Sequence, residues 1–253
     1  MKRIYAIAPI IESAGVRLQD AQRVLDPLKE HDIDVVSVFL DKGPTSVDNA
    51  LDEALCVANI IEKALKASED PQAAGIVVDC MLDPAVPALR TALSIPVLGP
   101  AQTACHFAAS IGHRFGILDV GGGTGPMVSE QIDSFGLTSK FAGVVGTDIH
   151  VEDIHGSPQT QRSLNDGALK LVVEHEADVI VLGCSGFTGL ARAVQGFLRD
   201  QDIDVPVIDP VPFTIRTMIA MIREGHCHSK RRYRTPRRKE LKGYAAGQRY
   251  DVL

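Results

Sequence analysis

Short apolar runs rich in Val and Ile recur along the chain. Between them lie longer stretches in which apolar residues return at helical spacing. The runs are Ile4–Ala8, Asp34–Phe39, Gly75–Val78, Val97–Leu98, Phe115–Leu118, Phe141–Val145, Val179–Leu182 and Val207–Ile208. Runs this short and continuous suit strands buried on both faces of a parallel sheet. The helical stretches are Arg17–His31, Ser46–Ser68, Ala85–Ala92, Thr103–Ser110, Val128–Ser134, Ser157–His175, Gly189–Gln201 and Phe213–Arg223. Regular alternation of strand and helix predicts βα units, and with them an α/β fold with parallel sheets.

The pattern also repeats. Arg3-Ile4-Tyr5-Ala6-Ile7 returns as Arg114-Phe115-Gly116-Ile117-Leu118, an offset of 111 residues. Ile76-Val77-Val78-Asp79-Cys80 returns as Ile180-Val181-Leu182-Gly183-Cys184, an offset of 104. Ile95-Pro96-Val97-Leu98-Gly99-Pro100 returns as Val205-Pro206-Val207-Ile208-Asp209-Pro210, an offset of 110. Three matches in one order predict two similar parallel-sheet α/β halves related by a pseudo-twofold axis, with the active site in the cleft between them. The first half covers residues 1–98 and is completed by 211–253, a returning helix and a basic tail. The second covers 99–210.

Ligand sites in parallel sheets lie beyond the carboxyl ends of the strands. Cys80 and Cys184 occupy that position in corresponding units, so facing halves would aim both thiols into one cleft. Two opposed groups of similar proton affinity can invert a carbon acid: one removes the proton from one face, the other returns one to the opposite face. A cysteine thiol ionises near pH 8.5, and a helix N-terminus lowers that value. A thiol and a thiolate could then coexist near neutral pH. The bland reading makes both cysteines small buried hydrophobes. Cys56, Cys105 and Cys227 read as core, packing and incidental residues. No CxxC pair is present, and the five cysteines show no disulfide spacing. His226-Cys227-His228 is too tightly spaced for one tetrahedral metal site, and no metal is expected. Gly121-Gly122-Gly123-Thr124-Gly125 follows the first strand of the second half without the lysine of a P-loop. It reads as a crossover, or as a lid or floor of the cleft.

Composition narrows the function. The 253 residues are 45% hydrophobic and 23% charged, which excludes a disordered chain. Trp is absent, and twelve aromatic residues (eight Phe, four Tyr) at a net charge of −6 do not suggest a nucleic-acid binder. Residues 223–253 hold ten Lys or Arg against three Asp or Glu. That makes the tail +7 and the remaining 222 residues −13. No run of about 18 apolar residues suggests a membrane span, and the opening residues read as a strand rather than a signal peptide. Unpaired cysteines fit a cytoplasmic protein with reduced thiols.

Several segments resemble the aspartate/glutamate/hydantoin racemase superfamily, and within it the hydantoin and allantoin racemase branch. They are Gly43-Pro44-Thr45-Ser46-Val47 with Asp52-Glu53-Ala54-Leu55, and Asp79-Cys80-Met81-Leu82-Asp83-Pro84. They also include Pro96-Val97-Leu98-Gly99 with Ala104, His106 and Ala108, and Leu182-Gly183-Cys184-Ser185-Gly186-Phe187. The residues from Ser229 to Tyr244 resemble the branch's terminal segment more loosely. The resemblance implies a cofactor-independent racemase or epimerase with Cys80 and Cys184 as the opposed pair. Met81, Ser185 and Gly186 would offer N–H groups or a hydroxyl to the substrate, stabilising the enolate. A 5-substituted hydantoin or a related ureide such as allantoin is the implied substrate, because its α-proton is more acidic than that of an amino-acid carboxylate. Three features depart from the pattern. Ala8-Pro9-Ile10 stands where the branch has Asn-Pro-Asn lining the pocket. Phe187 stands where Met is usual, and the loop holding Gly121 and Gly122 is unusually glycine-rich.

The expected function is therefore an isomerase acting on a small molecule, with neither nucleic acid nor membrane as partner, assembled as a homo-oligomer. Within the same superfamily, a one-thiol decarboxylase and a maleate-type cis-trans isomerase are the alternatives. Outside it, a small-ligand-binding protein without turnover is the rival. The basic tail is expected to pack on the protein's own acidic body or on a neighbouring subunit.

Overall fold

A computed structural model of the chain describes residues 1–13, 15–121, 123–154 and 158–237. Its strands are β1 (Lys2–Ile7), β2 (Ile33–Val38), β3 (Ala73–Val78), β4 (Val97–Leu98), β5 (Phe115–Asp119), β6 (Phe141–Gly146), β7 (Val179–Leu182) and β8 (Val207–Ile208). Its helices are α1 (Leu18–Leu25), α2 (Ala50–Ser68), α3 (Val86–Ala92), α4 (Pro100–Ile111), α5 (Gly125–Ser134), α6 (Pro158–Val173), α7 (Ala191–Arg199) and α8 (Pro210–Glu224). Two four-stranded sheets result, ordered β2-β1-β3-β4 and β6-β5-β7-β8, with every pairing parallel. The second order repeats the first, strand for strand.

The helix ends differ from the sequence expectation where local chemistry decides them. The first helix was expected to reach His31, but it stops at Leu25 and tightens into a 3-10 turn over Asp26–Leu28, which contains Pro27. Proline cannot donate to the helical ladder. The second begins at Ala50 rather than Ser46, because the Asn49 side chain accepts the N–H groups of Leu51 and Asp52. α4 and α8 begin three residues earlier than expected, at Pro100 and Pro210, since the first helical position suits proline.

Both faces of each sheet are covered. Along β1 and β3 the side chains alternate: Ile4, Ala6 and Val77 join one core with α1 and α8, while Ile7, Ile76 and Val78 join another with α2 and α3. In the second sheet Phe115, Ile117, Val179 and Val181 face α4 and α5. Leu118, Ile180 and Leu182 face the opposite core, with Leu164, Ala168 and Leu171 of α6 and Val194 and Leu198 of α7. The helix after β4 thus packs on the second sheet, and the helix after β8 returns to the first. These exchanged helices meet along the seam, where the rings of Phe107 and Phe213 stack at 4.3 Å.

The basic tail is described as far as Arg237. It folds back on the first half through the C-terminal end of α3. Lys230 Nζ donates to the carbonyls of Arg90 and Leu93, His228 Nε2 lies 3.0 Å from the Leu93 carbonyl, and the Arg90 guanidinium sits over the Tyr233 ring. The Lys230 ammonium therefore meets carbonyls at a helix C-terminus, where the backbone dipole favours it, while Arg223 at the start of the tail pairs with Glu30 and Asp32 of the body.

The crossover into the second half is pinned by Asp83. Gly99, which precedes α4, offers no side-chain cap. The Asp83 carboxylate supplies one from sixteen residues upstream, accepting the N–H groups of Ala101 at 3.0 Å and Gln102 at 2.8 Å. A Cβ on Gly99 would fall 2.2 Å from the carboxyl carbon. Asp83 is buried with φ +51°, a left-handed conformation that Asn tolerates better than Ala. Asp83→Ala is expected to lower stability by about 0.5–2 kcal/mol, and Asp83→Asn by less. Denaturant unfolding of the two variants checks both.

Candidate active site

The chain turns sharply after each central strand, and the two turns carry the two cysteines. Cys80 follows β3, where its N–H bonds the carbonyl of Val78. Cys184 follows β7 and opens a 3-10 turn over Ser185–Phe187. Its sulfur accepts the N–H of Gly186 at 3.3 Å, and the Leu82 N–H serves the Cys80 sulfur in the same way. Both residues are partly buried, and both line one cavity of about 80 Å³ between the sheets. Drug-sized ligand sites run to roughly 300–1,000 Å³, so this is room for a small molecule or a single ring.

The remaining walls come from the strand ends and from two loops. Ala8, Pro9 and Ile10 follow β1; Asp79, Met81 and Leu82 flank Cys80; Asp119 ends β5, and Val120 and Thr124 follow it. Ser46 and Val47 reach in from the loop before α2, and Val151 from the loop before α6. A second cavity of about 230 Å³ adjoins the first, sharing Ala8, Ile10, Asp79, Val151 and Ser185. Val16, Ala21, Val24, Leu25, Phe39 and Val211 give it a largely apolar lining, and Arg17 there is paired with Asp20 at 3.0 Å.

Of the residues singled out in the sequence, the structure brings Cys80, Cys184, Pro9, Ile10, Met81 and Ser185 to the two-thiol cavity. The Ser185 hydroxyl donates to the backbone carbonyl of Asp79 at 3.3 Å, tying the two cysteine turns together. Gly186 gives its N–H to the Cys184 sulfur and lines the second cavity. Phe187 is not a cavity residue: its side chain is fully buried in the core with Leu118, Ile154 and Leu164. The exchange of Met for Phe there changes core packing and leaves the cavity wall alone. Gly121 does not line the cavity either. It takes φ +101° where the backbone must pass Gly146 closely, a Cβ on Gly146 lying 2.8 Å from the Gly121 Cα. Gly122 lies outside the described residues. The loop reaches the cavity through Thr124, whose hydroxyl donates to the Asp119 carboxylate.

Asp79 and Asp119 were missed as cavity residues. The repeat held the signal: at its offsets Asp119 corresponds to Ala8, and Asp79 to Gly183. Burial pushes the Asp79 carboxyl up to about 6, with Asp209 adding to the effect. Asp119 is raised by burial too, against the pull of the Thr124 hydroxyl and the Val120 N–H.

The thiols also differ from expectation. Burial pushes Cys184 up to about 12; the Gly186 N–H opposes this, and the charges of Asp119, Asp79 and Asp48 add to it. Burial raises Cys80 well above an ordinary thiol, against the Leu82 N–H. Desolvation outweighs the turn N–H groups, where a helix N-terminus was expected to lower the thiol value. Cys56 and Cys105 are fully buried in the core, and Cys227 is exposed. Among the described residues no group of three or more His, Cys, Asp or Glu could hold a metal, and no helix is long and apolar enough to cross a membrane.

Two sheets of identical order that meet at a thiol-lined cleft define a two-half racemase fold. Residues 18–218 match the model of the Asp/Glu/hydantoin racemase family, so the chain belongs to that family and its class is that of an isomerase. It is similar to the hydantoin racemase of Paenarthrobacter aurescens, 29% identical over 204 residues that cover 79% of this chain and 83% of that one. It is also similar to the hydantoin racemase of Pseudomonas sp. (strain NS671), 28% identical over 84% of each chain. In three dimensions it resembles the allantoin racemase from Klebsiella pneumoniae, with a TM-score of 0.88, 24% identity and 98% of each chain covered.

The thiolate is the reactive form of cysteine. Near neutral pH, iodoacetamide should therefore modify exposed Cys227 well before Cys80 or Cys184, and alkylation of the latter two should accelerate as the pH rises. Peptide mass spectrometry over a time course reads the order directly.

Proposed function

We propose that the protein is a cofactor-independent racemase of 5-substituted hydantoins or related ureides, with Cys80 and Cys184 as its acid and base. One observation carries the reading: two cysteines at corresponding turns of the two halves line a single small cavity. The relatives named above, hydantoin and allantoin racemases, support the same substrate class.

In this reading one sulfur, as thiolate, takes the hydrogen from C5. The C–H bond breaks, an S–H bond forms, and the electron pair passes to the adjacent carbonyl as an enolate. The opposite thiol then gives its proton to the other face of C5, and its sulfur is left as the thiolate. The stereocentre is inverted, and the roles are exchanged for the reverse direction. Raised proton affinity keeps most of each cysteine as the neutral thiol, and the thiolate that does form is strongly basic. The adjoining apolar cavity suits the C5 substituent. A one-thiol decarboxylation leaves the second cysteine without a task.

Cys80→Ser and Cys184→Ser should each lower kcat for racemisation of an enantiopure 5-substituted hydantoin by about 10²–10⁴-fold, followed by circular dichroism. Wild-type kcat/KM should rise with pH from neutral upward, because burial opposes thiolate formation. Near-normal racemisation by either variant would exclude the two-thiol scheme.

A further inference from the structure

The two-thiol cavity is acidic. Asp119 ends β5, is 3% exposed, and reaches the lining beside Thr124. Asp79 lies on the wall next to Cys80, and its Oδ1 is buried without a hydrogen-bond partner among the described residues. Asp48 stands in the loop that supplies Ser46 and Val47 to the lining, held by the Ser46 hydroxyl at 2.5 Å. Charges on all three are felt at the Cys184 sulfur. Among the described residues lining this cavity there is no Lys, Arg or His.

The two lining acids come from exchanged strands. In the first sheet Ala8 follows β1 and Asp79 follows β3; in the second Asp119 ends β5 and Gly183 follows β7. Leu118 pairs with Leu182, and a Cβ on Gly183 would lie 2.9 Å from the Asp119 Cα. The glycine makes room for the acid on the neighbouring strand. Each half thereby contributes one carboxyl at the end of a central strand.

We propose that Asp79 and Asp119 are specificity-determining residues that restrict the two-thiol cavity to uncharged substrates and bar those bearing a carboxylate near the reacting carbon. The proposal rests on the racemase reading above and narrows its substrate class. A free amino acid would bring its carboxylate against two acids in a small cavity without a cation among its described lining residues, and Arg17 of the adjoining cavity is already paired with Asp20. A cyclic ureide brings no charge, and its N–H groups can donate to acid oxygens such as Asp79 Oδ1. Discrimination built on repulsion needs no attractive contact to the favoured ligand.

Hydantoin-5-acetate and hydantoin-5-acetamide test this, since they share a shape and differ by one charge. Their kcat/KM values are measured at a mildly alkaline pH, where Asp79 is ionised, for wild type, Asp79→Asn and Asp119→Asn. Wild type should favour the amide about tenfold or more, and each variant should narrow that ratio about threefold or more. Equal use of both by wild type, or an unchanged ratio in variants that melt like wild type, would overturn the proposal. Should Asp119→Asn fail to fold, Asp79→Asn and Asp48→Asn carry the same comparison. Turnover of the amide with no effect on the ratio refutes charge selection alone. Turnover of neither compound, nor of any neutral hydantoin, overturns the racemase reading and this proposal with it.

Discussion

Asp83 sets its carboxylate against the first free N–H groups of α4, and that contact ties the turn bearing Cys80 to the helix that crosses between the sheets. α4 packs on the second sheet beneath β5 and β7, so the first thiol is fixed relative to the second by a single helix. On the other side the Ser185 hydroxyl reaches the Asp79 carbonyl and joins the Cys184 turn to the Cys80 turn directly. The exchange of α4 and α8 between the halves puts both connections in one seam, closed by the Phe107–Phe213 stack. Two sheets that merely faced each other could slide. Two sheets that share helices and capping groups hold their strand ends at one separation, as a reaction on opposite faces of one carbon requires.

Burial in that seam decides the chemistry of the groups it holds. It makes the thiols reluctant to ionise and raises the carboxyls beside them. The N–H groups of Leu82 and Gly186 partly compensate, one for each sulfur. These local contacts repeat in both halves, as does the sheet order. The acids do not repeat in the same strand: Asp119, Asp79 and Asp48 act on Cys184, and Asp83 acts on Cys80. The two thiols are thus equivalent in backbone geometry and unequal in field, a reason to expect kcat and KM to differ between the two enantiomers while kcat/KM is the same for both, as an equilibrium constant of one requires.

The strand pattern was legible because strands covered on both faces must be continuously apolar, and Val179–Leu182 and Val207–Ile208 announce themselves in that way. The cysteine pair was legible because the repeat placed Cys80 and Cys184 after matching runs. The acids were not. An aspartate at a strand end reads as a turn residue until the neighbouring strand is known, and the place of Asp119 depends on a glycine, Gly183, far away in sequence. Asp83 read as part of a motif, while its partners, the N–H groups of Ala101 and Gln102, carry no side-chain signal at all. Phe187 was drawn to the site by its place beside Cys184, but the 3-10 turn sends its side chain into the core. The glycine run read as a crossover, or as a lid or floor of the cleft, and Gly121 answers to the close passage of Gly146.

The central claim is that two thiols act from opposite faces of one carbon. Its most direct measurement follows C5 of an enantiopure 5-substituted hydantoin in heavy water at low conversion. The account predicts that the inverted product carries deuterium at C5 from its first appearance while the recovered substrate keeps its hydrogen, since the proton leaves to one sulfur and the deuteron arrives from the other. Inverted product that retained the original hydrogen would contradict it.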